Sequence, residues 1–455
     1  MKTNRITHPI LAALLAGLAT GAQAEVTADE AKQLGSTLTQ LGAVKAGNKE
    51  GTIPAYTGGL TKAPPGFKAG SGVWADPFKD EAPLVRIDAK NWQQHADKLS
   101  DGQKELFKKN PGFYMDVYPS HRTAAVPEDV LAKTVRNATT CKTTKGGLGV
   151  DQACRGGIPF PIAKSGHEMM WNQQLRYKAD TTTRSSRSWV VDSSGKAVMT
   201  SQQQTFEETP YYHANLDGRD EQMYWRTYSV NSAPIRKAGE VTGLIDFLDP
   251  TQKPRRAWSY APGQRRIKLA PEFSYDTPVA SMGGVTLFDE LFVFSGQMDR
   301  FDFKLVGKKE MYVPYNAYKL YFGCGVEEQF KEKYPNPACW RWELHRMWVV
   351  EATLKQGFRH AYAKRTYYID EDTYGAMLYD AYDRSGQLYR SIFNSMIQLY
   401  DVNAPYTVKN VIFDFNKGMY ALVNDGLVGG YGVVTTPRSN RDLNPETIVA
   451  KETAR

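Results

Sequence analysis

Long apolar runs are scarce in this chain. After residues 10–19, charges such as Arg346, Glu351 and Asp414 interrupt the richest stretches, and none approaches the ~20 apolar residues a spanning helix needs. The opening run is itself too short to span. It follows Lys2 and Arg5 and ends in Ala22-Gln23-Ala24. A charged start, a short apolar core and an A-x-A end form the pattern of a secretory signal peptide. Residues 1–24 are therefore expected to be removed, leaving a mature chain that begins near Glu25. No cysteine lies near that point, so no lipid anchor is expected. The expected address is a Gram-negative-type periplasm, with the protein soluble there.

Catalytic signatures are also missing. The sequence contains no G-x-S-x-G elbow, no H-E-x-x-H, no phosphate loop, and no G-x-G-x-x-G opening a helix after a strand. Beyond the leader, the histidines are His95, His121, His167, His213, His345 and His360, none at metal-ligand spacing to another. His345 and His360 are expected as a polar pair on neighbouring strands. Asp370-Glu371-Asp372 is expected to be a turn. The acidic stretch from Asn215 to Glu221 has the wrong register for a calcium loop. No Lys/Arg block stands out. Losing Lys2 and Arg5 takes the net charge from +8 to 8 − 2 = +6, which does not argue for nucleic acid. No metal and no cofactor are expected.

Cysteines are few: Cys141 with Cys154, and Cys324 with Cys339. An even count at short spacing in an oxidising compartment predicts two local disulfides. A four-thiolate zinc site would need closer pairs than these.

What is present is a pattern of strands. Residues 25–165 read as an irregular, partly helical strap region. Capping boxes at Thr27–Glu30 and Ser100–Gln103 open helices, the first expected to reach about residue 41 and the second to stop at Asn110-Pro111. A third helix starts at Pro127. Between them, residues 47–72 are rich in Gly and Pro and are expected to lie as a strap on a surface.

Residues 166–455 open with a short helix at 167–177 and then turn to strands. Hairpins are expected around 192–195 and around Ala261-Pro262-Gly263, with strands at 222–230 and 241–248. The clearest block is 342–420. There Trp342, Leu344, Trp348 and Val350 alternate with Glu343, His345 and Glu351, and short turns separate further strands at 358–369, 376–382, 387–400, 408–415 and 419–423. Such a series is an antiparallel meander. A sheet this wide must twist and curl, so its concave face must be covered by helices, closed into a barrel, or filled by a ligand.

Aromatic residues make up 12% of the chain, with 26 tyrosines and nine tryptophans. Those placed on strands, namely Trp225, Trp258, Tyr260, Trp342, Trp348, Tyr389 and Phe393, are candidates for lining an apolar cavity. Arg346 is a candidate for a headgroup or carboxylate partner, as is Arg256.

Six stretches together resemble one bacterial family: KAGNKEGTIPAYTGGL (45–60), YPSHRTAA (118–125), GGIPFP (156–161), AWSYAPGQRR (257–266), YVPYN (312–316) and ELHRMWVVEA (343–352). The chain resembles a domain-of-unknown-function family labelled outer-membrane lipoprotein-sorting protein. The resemblance implies an α+β, mostly β fold similar to LolA and LolB. Such a fold is a large curved antiparallel meander forming an incomplete barrel around helices, with a cavity for acyl chains. It also implies partners: an inner-membrane transporter of the resistance-nodulation-division type and an outer-membrane protein. The function expected is a non-enzymatic periplasmic carrier or adaptor for a hydrophobic, lipid-like molecule. Two alternatives stay open, a structural subunit of a transporter complex whose cavity is plugged by its own chain, and a periplasmic lipid or ester hydrolase.

Overall fold

The structure, a computed structural model, describes residues 25–433 and 436–453; the expected signal peptide lies outside them. The N-terminal part contains α1 (Ala28–Ala31), β1 (Val85–Ile87), α2 (Asp101–Lys109), β2 (Met115–Val117), α3 (Glu128–Thr140), the small ladder of β3 (Thr143–Thr144) and β4 (Gly149–Val150), and α4 (Gly166–Gln174). A first meander follows: β5 (Thr181–Val191), β6 (Ala197–Glu208), β7 (Met223–Ala233), β8 (Val241–Phe247), β9 (Arg256–Ala261) and β10 (Arg266–Leu269). After a crossing segment, residues 270–300, comes a second: β11 (Phe301–Pro314), β12 (Trp342–Leu354), β13 (Lys364–Asp370), β14 (Ala376–Tyr382), β15 (Leu388–Asn394), the β16 (Ile397–Leu399) and β17 (Ala404–Tyr406) pair, β18 (Asn410–Asp414) and β19 (Met419–Val433). Helix α5 (Pro445–Thr453) closes the described chain.

The two meanders form one sheet. Its order runs β1-β2-β12-β13-β14-β15-β18-β19-β5-β6-β7-β8-β9-β10, with β11 also on β12. The joint between the meanders is the antiparallel pair β19–β5, where Tyr420 faces Val191. All strand pairs in the sheet are antiparallel except a single parallel link, Trp342 to Val117. The sheet does not close on itself, so it is a mostly β, incomplete barrel.

Local chemistry explains the hairpins. Asp192-Ser-Ser-Gly195 and Asp383-Arg-Ser-Gly386 share one turn design. Each aspartate accepts from the backbone N–H two residues on, at 2.8 Å, and again from the one four residues on, at 3.1 Å. Gly195 (φ 88°) and Gly386 (φ 80°) take the left-handed conformation that releases the chain into the next strand. Both disulfides form, Cys141–Cys154 and Cys324–Cys339.

Several expectations need correcting. Helix α1 ends at Ala31, because the chain turns back at Gly35 (φ 84°). The strap, residues 47–72, lies mostly exposed over the sheet, with Ile53 buried in the core and Leu60 and Phe67 half-buried against it. The strand expected from 358 starts at Lys364, that from 387 breaks after Asn394, and that from 419 runs on to Val433. Strand β11 was not expected at all. Its middle carries Lys304, Lys308, Lys309 and Glu310, which hide the alternation of Phe301, Phe303 and Leu305. Finally, Glu343 and His345 are as buried as the apolar side chains that alternate with them, because the N-terminal chain covers their face.

Candidate functional site

The inner side of the sheet differs between its halves. Over the second meander the crossing segment is locked down by its own carboxylates. Asp289 meets His360 Nε2 at 3.0 Å and Arg365 at 2.8 Å. Glu290 accepts from the Tyr362 hydroxyl at 2.6 Å and from Arg390 at 2.9 Å. Phe294 adds edge contacts to Phe303 and Tyr367. Burial alone would raise the Asp289 pKa, but Arg365 and His360 outweigh it and hold the group at about 2. This half is filled by side chains.

Over the first meander the same segment stands off the sheet and leaves a cavity of about 440 Å³, within the roughly 300–1,000 Å³ range of small-molecule sites. Its two sides are chemically unlike. The roof, from the crossing segment, carries Phe273, Val279, Met282, Phe288, Leu291 and Phe292. The floor carries hydroxyls and amides: Gln203 and Thr205 from β6, Thr227, Ser229 and Asn231 from β7, Thr242 from β8 and Ser259 from β9. Register produces this floor. Arg184 pairs with Thr205, Thr205 with Ser229, Ser229 with Thr242 and Thr242 with Ser259. One row of polar side chains therefore crosses the sheet, and Thr205 Oγ1 and Ser229 Oγ lie 2.8 Å apart within it. At the roof's end Phe292 (φ 53°) and Val293 (φ 75°) both adopt left-handed backbone. That conformation strains a bulky or β-branched residue, and such strain clusters at binding sites.

The inner end of the cavity is basic. Glu207 is bridged by Lys178 and by Arg184 Nη1, the latter at 3.1 Å. Lys178 also lies over the Phe292 ring, 3.8 Å from its centroid. Burial pulls Lys178 down to about 8 although Glu207 opposes this, and burial likewise pulls Arg176 down to about 10. Glu207, which burial would raise, is held at about 2 by Lys178 and Arg184.

A second polar cluster lies where the strap meets the sheet. Arg122 grips Asp372 through Nε at 2.8 Å and Nη2 at 2.6 Å, and donates to the strap carbonyl of Lys45 at 3.3 Å. Arg346 binds Glu371 at 3.0 Å and the carbonyl of Ala46 at 3.0 Å. Lys308 reaches Glu371 at 2.6 Å. Glu343 accepts from Arg341 at 2.6 Å, from Asn316 at 3.1 Å and from the His121 backbone at 2.8 Å, and pairs with His345 Nε2 at 3.0 Å. His345, Asp370 and Asp372 bring potential metal-ligand atoms within 4.8 Å of one another. The donor set nevertheless fits a clamp better than a metal centre. Both oxygens of Asp372 are taken by Arg122, Glu343 and Glu371 already face the cations Arg341, Arg346 and Lys308, and Asp370 accepts from the hydroxyls of Tyr315 and Thr373.

A family model described as "Protein of unknown function (DUF1329)" matches residues 86–443. The chain belongs to the DUF1329 family. It is 40% identical over 424 residues to uncharacterized protein PA3922 of Pseudomonas aeruginosa, covering 92% of each chain. Among solved structures it is similar to a putative outer membrane lipoprotein-sorting protein domain from Vibrio parahaemolyticus, with a TM-score of 0.43 and 13% identity over 62% of this chain and 97% of that one. It is also similar to LolA superfamily protein NE2245 from Nitrosomonas europaea, with a TM-score of 0.37 and 8% identity over 62% and 99%.

Of the side chains singled out in the sequence, this DUF1329 chain brings Trp225 to the cavity, while Tyr260 borders it and packs on the opposite face with Trp258. Trp258 lies on the other face of the sheet, with Phe206, Tyr228, Leu443 and Ile448 beneath the C-terminal helix. It lies across Gly243, where a Cβ would stand 2.2 Å from the indole. Trp342 stacks on Trp340 and meets Phe393, which packs on Phe413. Tyr389 lies edge-on to Tyr362. Trp348 lies under Lys308, and Arg346 holds the strap. Arg256 lies at a groove between β9 and the chain preceding α5. None of these last six residues lines the cavity, because alternation assigns a face and says nothing of what covers it.

The residues missed are Lys178, Arg184 and the floor's Thr, Ser and Gln side chains. A signal for them was available. TTTRSSRS (181–188) and SQQQT (201–205) are polar on both faces, and a central strand polar on both faces needs a polar hollow or water beside it.

Proposed function

We propose that this protein is a periplasmic carrier that holds a hydrophobic, lipid-like molecule between the first meander and the crossing segment. The observation that carries the reading is the 440 Å³ cavity roofed by Phe, Met, Leu and Val in a chain that otherwise packs this segment tightly. Binding is the mechanism. Each methylene taken from water into such a site contributes ~0.8 kcal/mol, and release follows when a partner favours the empty form. The partners proposed are an inner-membrane transporter of the resistance-nodulation-division type and an outer-membrane protein. Three features support the compartment: the A-x-A leader, the two disulfides, and the absence among the described residues of any helix long and apolar enough to cross a membrane. The test is native mass spectrometry of protein purified from the periplasm of its own host without detergent. The carrier reading expects an adduct of lipid mass, and only apo mass would count against it. The filled inner face of the second meander favours a second reading, a transporter subunit that carries nothing. That reading expects apo protein that co-purifies with a membrane partner.

A further inference from the structure

We infer that the cavity takes an amphiphile with an anionic head, a carboxylate or a phosphate, seated at its inner end against Arg184 and Trp225. This rests on the carrier reading and adds the chemical class of the cargo. Three observations converge on it.

Arg184 lines the inner end, and Lys178 and Arg176 line a small hollow directly behind it that shares Trp225 and Phe292, so three buried cations stand near one carboxylate, Glu207. Buried charge of one sign in excess is costly and is relieved by a counter-charge of the other sign. At the rim the signs are mixed, with Lys237, Arg266 and Lys268 beside Glu240 and Glu272, so the bias belongs to the inner end.

The same end displays donors without acceptors. Trp225 is 4% exposed and lines the cavity, yet its Nε1 has no hydrogen-bond partner among the described residues. Just behind Phe292, Gln174 Nε2 and Arg176 Nε are also unpaired. Buried polar groups ordinarily find partners. Several unpaired donors around an excess of positive charge match a group made of acceptor oxygens and carrying negative charge. A plain hydrocarbon satisfies neither demand, and a neutral glyceride offers acceptor oxygens without the negative charge.

The two-sided lining then orients the rest of the molecule. An alkyl chain running out from the head lies under Phe288, Leu291, Met282 and Val279, while the hydroxyl row from Thr205 to Ser259 stays hydrated or meets hydroxyls on the ligand.

The test uses the full mature chain and three ten-carbon probes, decanoate, decyl phosphate and decanol, with binding followed by calorimetry and by tryptophan fluorescence. At least one anionic probe is expected to bind tenfold or more tighter than decanol, and which one does so identifies the head. Arg184→Gln leaves Glu207 paired with Lys178 and is expected to remove the preference without weakening decanol. Equal affinity for all three probes in the wild-type protein would overturn the anionic head and leave the carrier reading standing. Binding of none would remove the carrier reading as well. A preference unchanged in a folded Arg184→Gln protein would overturn the assignment of the head to this end. Should that variant not fold, Trp225→Phe, which removes the indole N–H donor while keeping an aromatic ring, is read in the same way, with decanol affinity reporting the lost ring volume.

Discussion

At the scale of the residue, the strap clamp makes the sharpest energetic statements. Arg122 and Asp372 are both nearly inaccessible, their side chains 2% and 3% exposed. Removing one partner of such a pair strands the other's charge in the interior, which costs about 3–5 kcal/mol. Arg122→Ala should therefore lower the free energy of unfolding by that much in guanidinium titration, and the double variant Arg122→Met/Asp372→Met should recover most of it. Asp370 behaves differently. Burial and the neighbouring Asp372 push its pKa from 3.8 to about 7. Between those values the folded protein keeps a proton that the unfolded chain has released. The stability this group contributes is thus full below pH 4 and lost as pH rises through 7. Asp370→Asn, with no proton to lose, should flatten that decline, read as the urea midpoint at pH 5 against pH 7.5. Glu207 and Asp289, held at about 2, work in the opposite direction. They stabilise above the ordinary carboxylate range, and that contribution is lost as pH falls from about 4.5 to 2.

At the scale of the element, turns and staples dominate. The paired turns at Asp192 and Asp383 each depend on a carboxylate that accepts two backbone N–H groups, so Asp383→Ala should cost about 1 kcal/mol and loosen the β14–β15 hairpin in hydrogen exchange. The disulfides span 13 and 15 residues, loops for which cross-linking contributes about 3 kcal/mol each. Reduction under native conditions should lower the melting temperature measurably. Elements were also where the sequence could be read best. Strands β12 and β14 lie where alternation and turn residues put them, and both capping boxes form. Helix α2 goes further, with the backbone N–H groups of Asp101 and Gly102 donating to Asp380 at 2.9 and 3.0 Å. No local pattern could announce that contact, since Asp380 lies 279 residues from Asp101. The same gap explains the site. Glu343 and His345 look like a solvent face until the strap is laid over them, and Trp342 looks like a pocket wall until Trp340 and Phe393 surround it. Periodicity reports a side, and only tertiary packing reports what that side meets.

At the scale of the molecule, one sheet serves two roles. The half pinned by Asp289 and Glu290 is rigid core, and the half under the roof is hollow. Filling the hollow should separate the two roles. Ser229→Phe places a ring among Thr205, Thr242 and the roof, and it should abolish lipid co-purification while leaving the far-ultraviolet circular dichroism unchanged.

The strap itself sets an order of events. Its anchors, Asp372, Glu371 and Asp401, are made some 250 to 330 residues after the segments they hold, and the seam between the two meanders likewise waits for the last long strand. Contacts so distant along the chain form late and slowly. The first-made third of the polypeptide therefore has no finished seat until nearly all of it has been synthesised, which keeps the newborn chain open, threadable and dependent on protection from aggregation for most of its synthesis.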